Sequence, residues 1–290
     1  MATLRQIKRR IRSIENTAKI TRAMELVAAS KMRRTQGRAL EARPYAEKMR
    51  WVMADLAETL PDADPESLHP LLRREDEVRA IEVVLVTPDR GLCGGLPSSV
   101  NRRMANFILE AGKPVRVVAV GRKGRDFLRR TGAELAAEFI GIGDNPTYGE
   151  LRPIAQVVIE DFLEHRADEA YILYAHFVST VAQEPTMVKL LPVEPPEEAG
   201  TRGVDYIYEP SREDVLAELL PRYVERQVYE TVLEAIASEQ SARMVAMRNA
   251  SDNAGEIMDE LTLVYNKVRQ ETITSELLDI TGGVEALTGE

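Results

Sequence analysis

The stretch LRQIKRRIRSIENTAKITRAMELVAASKM, residues 4–32, decides the fold of this 290-residue chain. Its apolar residues recur in alternating steps of three and four, which places them along one seam of an α-helix. These residues are Leu4, Ile7, Ile11, Ile14 and Ala18. No Pro or Gly interrupts the first 36 residues, and the pattern resumes after Pro44, where we predict a kink rather than an end. A helix reaching about Leu56 would be roughly 80 Å long at ~1.5 Å per residue.

The C-terminal segment predicts a second long helix, from about Arg212 to Ile280, with Pro221 in its first turns. Small and β-branched residues follow a heptad spacing, which would let two helices approach closely. The seam contains Val224, Val228, Thr231, Ala235, Ser238, Ala242 and Val245, and it returns at Ile257, Leu261, Val264 and Val268. Gly282 and Gly283 predict the end of this helix.

The two ends carry opposite charge. Residues 1–50 contain 14 basic and 4 acidic side chains, whereas residues 211–290 contain 7 basic and 16 acidic ones. The basic helix by itself is compatible with binding to nucleic acid, to anionic lipid or to acidic protein loops, and also with a solvated face of a coiled coil. A single antiparallel coiled coil, in which the second helix overhangs the first, explains both ends.

The middle of the chain alternates predicted strands and helices, which indicates right-handed crossovers and a mostly parallel sheet. The strands are expected at 81–86, 115–120, 134–142, 170–177 and 187–193, the last two as a hairpin, and the helices at 98–110, 122–130 and 148–165. The expected fold class is therefore α/β plus a long antiparallel coiled coil. The N- and C-terminal helices form a shaft around a central Rossmann-like, mostly parallel α/β domain.

This interpretation divides the chain into four segments. The N-terminal shaft helix occupies 1–58, a proline-containing linker 59–76, the globular α/β domain 77–210, and the C-terminal shaft helix with its tip 211–290.

The candidate sites for chemistry are weak. The glycine-rich loop Asp89–Gly95 is not followed by the Lys-Ser/Thr of a Walker A loop, and Gly141-Ile142-Gly143 lacks the rest of a dinucleotide fingerprint. Gly121–Gly124 could bind an anion at a helix start. Cys93 is the only cysteine, and no histidine spacing indicates a metal site. We therefore expect no catalytic residue, no bound cofactor and no metal in this chain, and neither a membrane span nor a signal peptide.

Six segments in order along the chain closely resemble the gamma subunit of the F-type, proton-driven ATP synthase. They are Asn16–Met32, Asp89–Gly95, Tyr206–Pro210, Ala237–Met244, Tyr265–Gln270 and Ile273–Glu276. The resemblance implies a non-catalytic rotor that couples rotation of the c ring to conformational cycling of the catalytic beta subunits. It implies as partners three alpha and three beta subunits, the epsilon subunit and the c-subunit ring, with no nucleic acid and with membrane association only through the c ring. ATP, ADP and Mg would bind the alpha and beta partners. The expected location is the cytoplasmic face of the bacterial plasma membrane.

The same resemblance implies three contact regions. Arg269 and Gln270 match hydrogen-bonding contacts to a beta loop, and Met24 matches a position packed beside that contact. The tip would turn in an apolar sleeve through Leu277, Leu278, Ile280, Val284 and Leu287. The foot that meets the c ring would contain Asp205, Tyr206, Tyr208 and Glu209.

Two other classes of function remain as alternatives. A nucleic-acid-binding protein would need basic side chains clear of the coil and would bind DNA in a salt-sensitive way. A small-molecule α/β enzyme would need a convergent acid, base or nucleophile in the central segment, and the sequence offers no such set.

Overall fold

The computed structural model describes residues 3–58, 69–194 and 208–288. Within them the regular elements follow one another in the order expected for two long helices enclosing an α/β segment. They are α1 (Leu4–Glu58), β1 (Ile81–Val86), α2 (Leu96–Ala111), β2 (Val115–Val120), α3 (Arg122–Thr131), β3 (Glu134–Phe139), α4 (Tyr148–Leu163), β4 (Glu169–Phe177), β5 (Gln183–Leu191) and α5 (Arg212–Thr288). A short 3-10 turn, Pro70–Leu72, precedes β1.

The chain divides into two compact units. Met1–Val27 and Met244–Glu290 form one, called here the helix-pair unit, and Ala28–Arg243 form the other, called the α/β unit. Part of the predicted linker, residues 59–68, lies outside the described residues. The remainder contains the 3-10 turn, whose Leu71 is fully buried in the core of the α/β unit.

Both long helices exceed their predicted limits. α1 continues through Pro44 and α5 through Pro221, as the uninterrupted apolar patterns indicated. The predicted stop at Gly282 and Gly283 is wrong, because α5 continues to Thr288. A glycine commonly ends a helix by taking the left-handed conformation, and inside a helix it costs about 1 kcal/mol.

The α/β unit contains one five-stranded sheet with the strand order β3-β2-β1-β4-β5. The first four strands are parallel, and β5 pairs antiparallel with β4, which confirms the predicted hairpin. Two strands differ from the prediction by more than one residue. β3 ends at Phe139 rather than Ile142, since the chain turns at Gly141 with a positive φ, and β5 occupies 183–191 rather than 187–193.

Helices cover both faces of the sheet. Ile81, Val83 and Leu85 of β1 pack with α2 and α3 on one face. Val84 and Val86 belong to the other face, where the core includes residues of α4, of α5 and of the second half of α1. The central strand is therefore buried on both sides, which is typical of parallel sheets.

The helix-pair unit is built from the start of α1 and the second half of α5. Its buried residues include Ile7, Thr21, Met247 and Ala254. Glu25 of α1 contacts Arg248 of α5 at 3.0 Å. In the α/β unit, the guanidinium of Arg226 lies 5.5 Å from the ring centre of Tyr45. Within this unit Lys31 of α1 and Gln240 of α5 both contact Asp144. Tyr45, farther along α1, meets the earlier α5 residue Arg226, so the two helices run antiparallel here, as predicted.

Candidate functional site

The helix-pair unit exposes many large apolar side chains. Each is between 44% and 72% exposed, and two of them, Ile257 and Val264, belong to the predicted seam of α5. They are Ile20, Leu26, Val27, Ile257, Leu263, Val264, Ile273, Leu277, Leu278, Ile280 and Val284. Isolated exposed apolar residues are ordinary, but a long series on two paired helices is typical of a surface that another protein covers.

A buried carboxylate fixes the register of this helix pair. Glu25 is only 4% exposed, and its two oxygens contact different arginines: Arg22 one turn earlier at 2.7 Å, and Arg248 on the facing helix at 3.0 Å. The periodicity of the sequence does not predict this group. Its only signal is an acidic residue inside the otherwise apolar run Ala23–Ala29 of a basic helix.

The three predicted coupling residues do not form one cluster. Met24 is half-buried beside Glu25, at the level of Arg248, whereas Arg269 lies 21 residues farther along α5, or about 30 Å at the rise of an α-helix. The expectation that Met24 packs beside Arg269 and Gln270 is therefore wrong for this chain, because α5 is one continuous helix between the two levels. Arg269 and Gln270 are exposed, and within the described part of the chain Arg269 makes no hydrogen bond or ion pair.

The predicted tip residues lie on the last turns of α5. Leu277, Leu278, Ile280 and Val284 are all more than half exposed, while the side chain of Leu287 lies outside the described residues. If the Glu25–Arg248 register continues, Leu4 lies opposite about residue 269, since both helices advance equally per residue. The tip thus extends beyond the start of α1, as predicted.

The predicted foot is described only in part. Asp205 and Tyr206 lie outside the described residues. Tyr208 packs against the core that contains α4 and α5, and the guanidinium of Arg212 lies 5.3 Å from its ring centre. Glu209 is exposed.

The segment Ala237–Met244 connects α5 to the loops of the α/β unit. The amide of Gln240 donates to Asp144 at 2.7 Å, and the hydroxyl of Ser241 donates to the carbonyl of Thr180 at 2.9 Å. Lys31 of α1 pairs with the other oxygen of Asp144 at 2.5 Å. Asp144 therefore links both long helices to the loop after β3, which explains the motif as a structural junction.

Side chains at the glycine-rich loop after β1 accept hydrogen bonds from the neighbouring backbone N–H groups. The carboxylate of Asp89 accepts from the backbone N–H of Arg122 at 2.9 Å and from that of Gly141 at 2.8 Å. The hydroxyl of Thr87 accepts from the N–H of Gly124 at 2.7 Å. The start of α3, where an anion could have bound, is thus capped from within. Cys93 is buried, and burial raises the pKa of its thiol.

A pocket of about 450 Å³ opens between three helices of the α/β unit. It is lined by Tyr45, Tyr148, Arg152, Arg222, Glu225 and Arg226. Its central carboxylate, Glu225, accepts from the phenol of Tyr148 at 2.7 Å and from Arg152 at 2.9 Å. The polar groups at its centre pair with one another, so these contacts hold α4 against α5.

The described ranges contain no group of three or more His, Cys, Asp or Glu side chains arranged to hold a metal ion. Nor does any helix within them combine the length and the apolar character that a bilayer crossing requires.

The fold and the exposed apolar helices define a class of protein in which a long antiparallel helix pair is attached to a small α/β sheet. A family model described as ATP synthase matches residues 3–287. A relative named ATP synthase gamma chain from Dehalococcoides mccartyi is 56% identical over 287 residues, which are 99% of this chain and 100% of the relative. The chain belongs to this family of ATP synthase gamma chains.

Two solved structures have the same fold. One comes from the central stalk and c ring of the Tetrahymena thermophila mitochondrial ATP synthase, with a TM-score of 0.60, 26% identity, and coverage of 80% of this chain and 99% of that chain. The other comes from the rotor of the Euglena gracilis mitochondrial ATP synthase, with a TM-score of 0.64, 20% identity, and coverage of 93% and 98%. At 20% identity the second likeness bears on the fold alone.

Proposed function

We propose that this chain is the central-stalk rotor subunit of a proton-translocating F-type ATP synthase. It couples rotation of the c ring to conformational cycling of the catalytic subunits during ATP synthesis. During hydrolysis it couples the cycling of the catalytic subunits to rotation of the c ring. The observation that carries this proposal is the series of exposed apolar side chains on the helix-pair unit, from Ile20 on α1 to Val284 on α5. Full-length similarity to chains named ATP synthase gamma chain supports it.

The chain acts through contacts and performs no bond chemistry of its own. ATP, ADP and Mg bind the alpha and beta partners, and this chain holds no cofactor. A rotor drives its partners because they bind its different faces with different free energies, so turning the rotor changes which state each partner favours. Exposed guanidinium groups such as that of Arg269 suit this role, since they offer several directional donors to a partner loop.

The partners are three alpha and three beta subunits around the shaft, and the epsilon subunit and the c ring at the foot. The basic start of α1 faces acidic loops of the beta subunits, and the tip from Leu277 to Leu287 turns in an apolar sleeve. Asp205, Tyr206, Tyr208 and Glu209 contact the c ring. The chain sits at the cytoplasmic face of the bacterial plasma membrane and is attached to it through the c ring.

The first test is recovery of the tagged chain from detergent-solubilised membranes. We expect alpha and beta subunits in excess over the tagged chain, together with ATPase activity. Recovery of the chain alone would contradict the proposal, and recovery with nucleic acid would favour the basic coiled coil as a DNA-binding element, whose affinity should fall steeply with salt.

A further inference from the structure

Two buried carboxyl groups lie between the sheet of the α/β unit and α4, away from the residues proposed to contact other subunits. Glu82 is the second residue of the central strand β1 and is fully buried. It lies on the same face of β1 as Val84 and Val86, the face that α4 covers. Strands β2 and β4 flank it on both sides, with Arg116 and Ala170 as its register partners.

The hydrogen bonds around Glu82 leave it without a donor. Neither of its carboxyl oxygens accepts a hydrogen bond from the described residues. Its neighbour Asp161 of α4 accepts from Arg116 at 3.0 Å and from Arg166 at 2.6 Å, one arginine on each oxygen. Two carboxylates facing each other repel, but a carboxylic acid can donate to a carboxylate. Because Asp161 has both arginines, the proton belongs on Glu82.

We propose that Glu82 is a neutral acid in the folded protein, donates its proton to Asp161, and makes the packing of α4 on the sheet sensitive to alkaline pH. Although the Nε–H of Arg116 still lacks a partner, ionisation of Glu82 would place a second negative charge beside Asp161 in a fully buried site. The α/β unit would then loosen at this end of the sheet.

The surrounding charges agree with this assignment. Burial, the charge of Asp161 and the hydrogen bond to it raise the pKa of Glu82 to about 8, although Arg116 and Arg166 oppose the shift. Burial also acts against ionised Asp161, but hydrogen bonds from Arg166, Glu82 and Arg116 outweigh it and keep the pKa of Asp161 below its ordinary value. The charged groups on the neighbouring elements already have partners. Arg116 pairs with Glu134 of β3, and Arg166 pairs with Glu164. Asp168 accepts from the N–H groups of Arg79 and Ala80, and Glu75 pairs with Arg73 and His165.

The direction of the pH effect follows from proton linkage. Because the pKa of Glu82 is raised to about 8 in the folded state from an ordinary 4.5, the folded chain binds more protons than the unfolded chain between these values. The contribution of Glu82 to the free energy of unfolding is greatest below pH 4.5. It falls as the pH rises and levels off above about pH 8. Within the window one linked proton changes the unfolding constant by up to about tenfold per pH unit.

The direct test is carbon NMR of the full chain labelled at the glutamate carboxyl carbon, with Glu82→Gln used to assign the resonance. We expect the Glu82 signal to remain that of the neutral acid at pH 6–7 and to titrate near pH 8. A signal that is already that of a carboxylate at pH 6 would overturn the proposal, and the wild-type spectrum decides this even if the variant folds poorly.

The second test compares denaturant unfolding of Glu82→Gln and wild type from pH 5 to 9. The fluorescence of Trp51, the only tryptophan, reports on the α/β unit. Gln keeps a donor toward Asp161 but cannot ionise. The free energy of unfolding of the variant should therefore increase relative to that of wild type as the pH rises, and the difference should reach a plateau above about pH 8. Glu134→Gln is the matched control, since Glu134 touches the same Arg116 but is 56% exposed. Equal pH profiles for the two variants would refute the role of Glu82.

Discussion

The buried ion pair of Glu25 shows how one residue sets the register of the helix pair. Its carboxylate is held from the same helix by Arg22 and from the facing helix by Arg248. Only the second contact depends on the two helices meeting in this register. Loss of Arg248 therefore removes the partner that Glu25 has on the facing helix, whereas loss of Arg22 leaves that link intact.

We predict that Arg248→Ala destabilises the helix-pair unit by about 1 to 3 kcal/mol, because it leaves a buried carboxylate short of a partner and also removes a contact between the two helices. Arg22→Ala, the matched control, should cost clearly less. Amide hydrogen exchange of residues 10–27 and 244–260 measures both, since it reports opening of this unit separately from the sheet. Equal losses of protection would show that Glu25 does not select the register.

A charge at Met24 should disturb coupling. Met24 is half-buried next to Glu25, so Met24→Lys brings a cation close to Arg22 and Arg248 and into any surface that contacts this level of the shaft. We expect assembly and ATP hydrolysis to be largely kept while proton pumping per ATP falls several-fold, measured in inverted membrane vesicles. Ala23→Lys, at the neighbouring exposed position, is the control, and unchanged pumping in Met24→Lys would remove this residue from the coupling surface.

At the scale of elements, the turn between β2 and α3 depends on a glycine. Gly121 has φ 93° and ψ 148°, a region essentially restricted to glycine, and a Cβ there would lie 1.8 Å from the carbonyl oxygen of Thr87. The tight approach lets Thr87 and Asp89 cap the start of α3. This element boundary is therefore fixed by backbone geometry.

Gly121→Ala should destabilise the α/β unit by about 3 kcal/mol or more, from backbone strain together with the clash. Gly112→Ala is the control, since Gly112 also has a positive φ of 61° but no atom within 4 Å of its added Cβ, and it should cost only about 1–2 kcal/mol. Denaturant unfolding followed by Trp51 fluorescence distinguishes the two. Similar losses would mean that the neighbouring strand moves to make room.

At the scale of the whole molecule, the tip of α5 is exposed in the chain alone. Leu277, Leu278 and Ile280 are each at least 60% exposed, so they contribute little to the stability of the chain alone. Under the proposed function, other subunits would cover these side chains.

Deleting Leu277–Glu290 should leave folding intact and reduce coupling. The thermal unfolding midpoint of the truncated chain should stay within a few degrees of that of the full chain. Torque or proton pumping in the assembled complex should decrease, because the shaft loses the tip that turns in the apolar sleeve. Circular dichroism of the isolated chain and pumping by vesicles measure the two effects. A truncated chain that no longer folds would assign the tip to stability.

The sequence by itself determined the secondary structure, the sheet and the helix pair. Periodicity and the absence of Pro and Gly predicted α1 and α5, and short β-branched runs predicted β1 and β2 at their observed bounds. Local patterns suffice there because hydrophobic spacing is repeated many times along each element. The prediction was wrong at Gly282 and Gly283, where a small local preference against helix was the only signal.

Only the tertiary structure decided which distant residues meet. It separated Met24 from Arg269, brought Asp144 to Gln240 and Lys31, and placed Glu82 against Asp161. These contacts join residues far apart in the chain, and each consists of single polar groups that carry no periodic signal. Their partners are selected by the packing of helices on the sheet, because a buried polar group must find its partner wherever the fold places it.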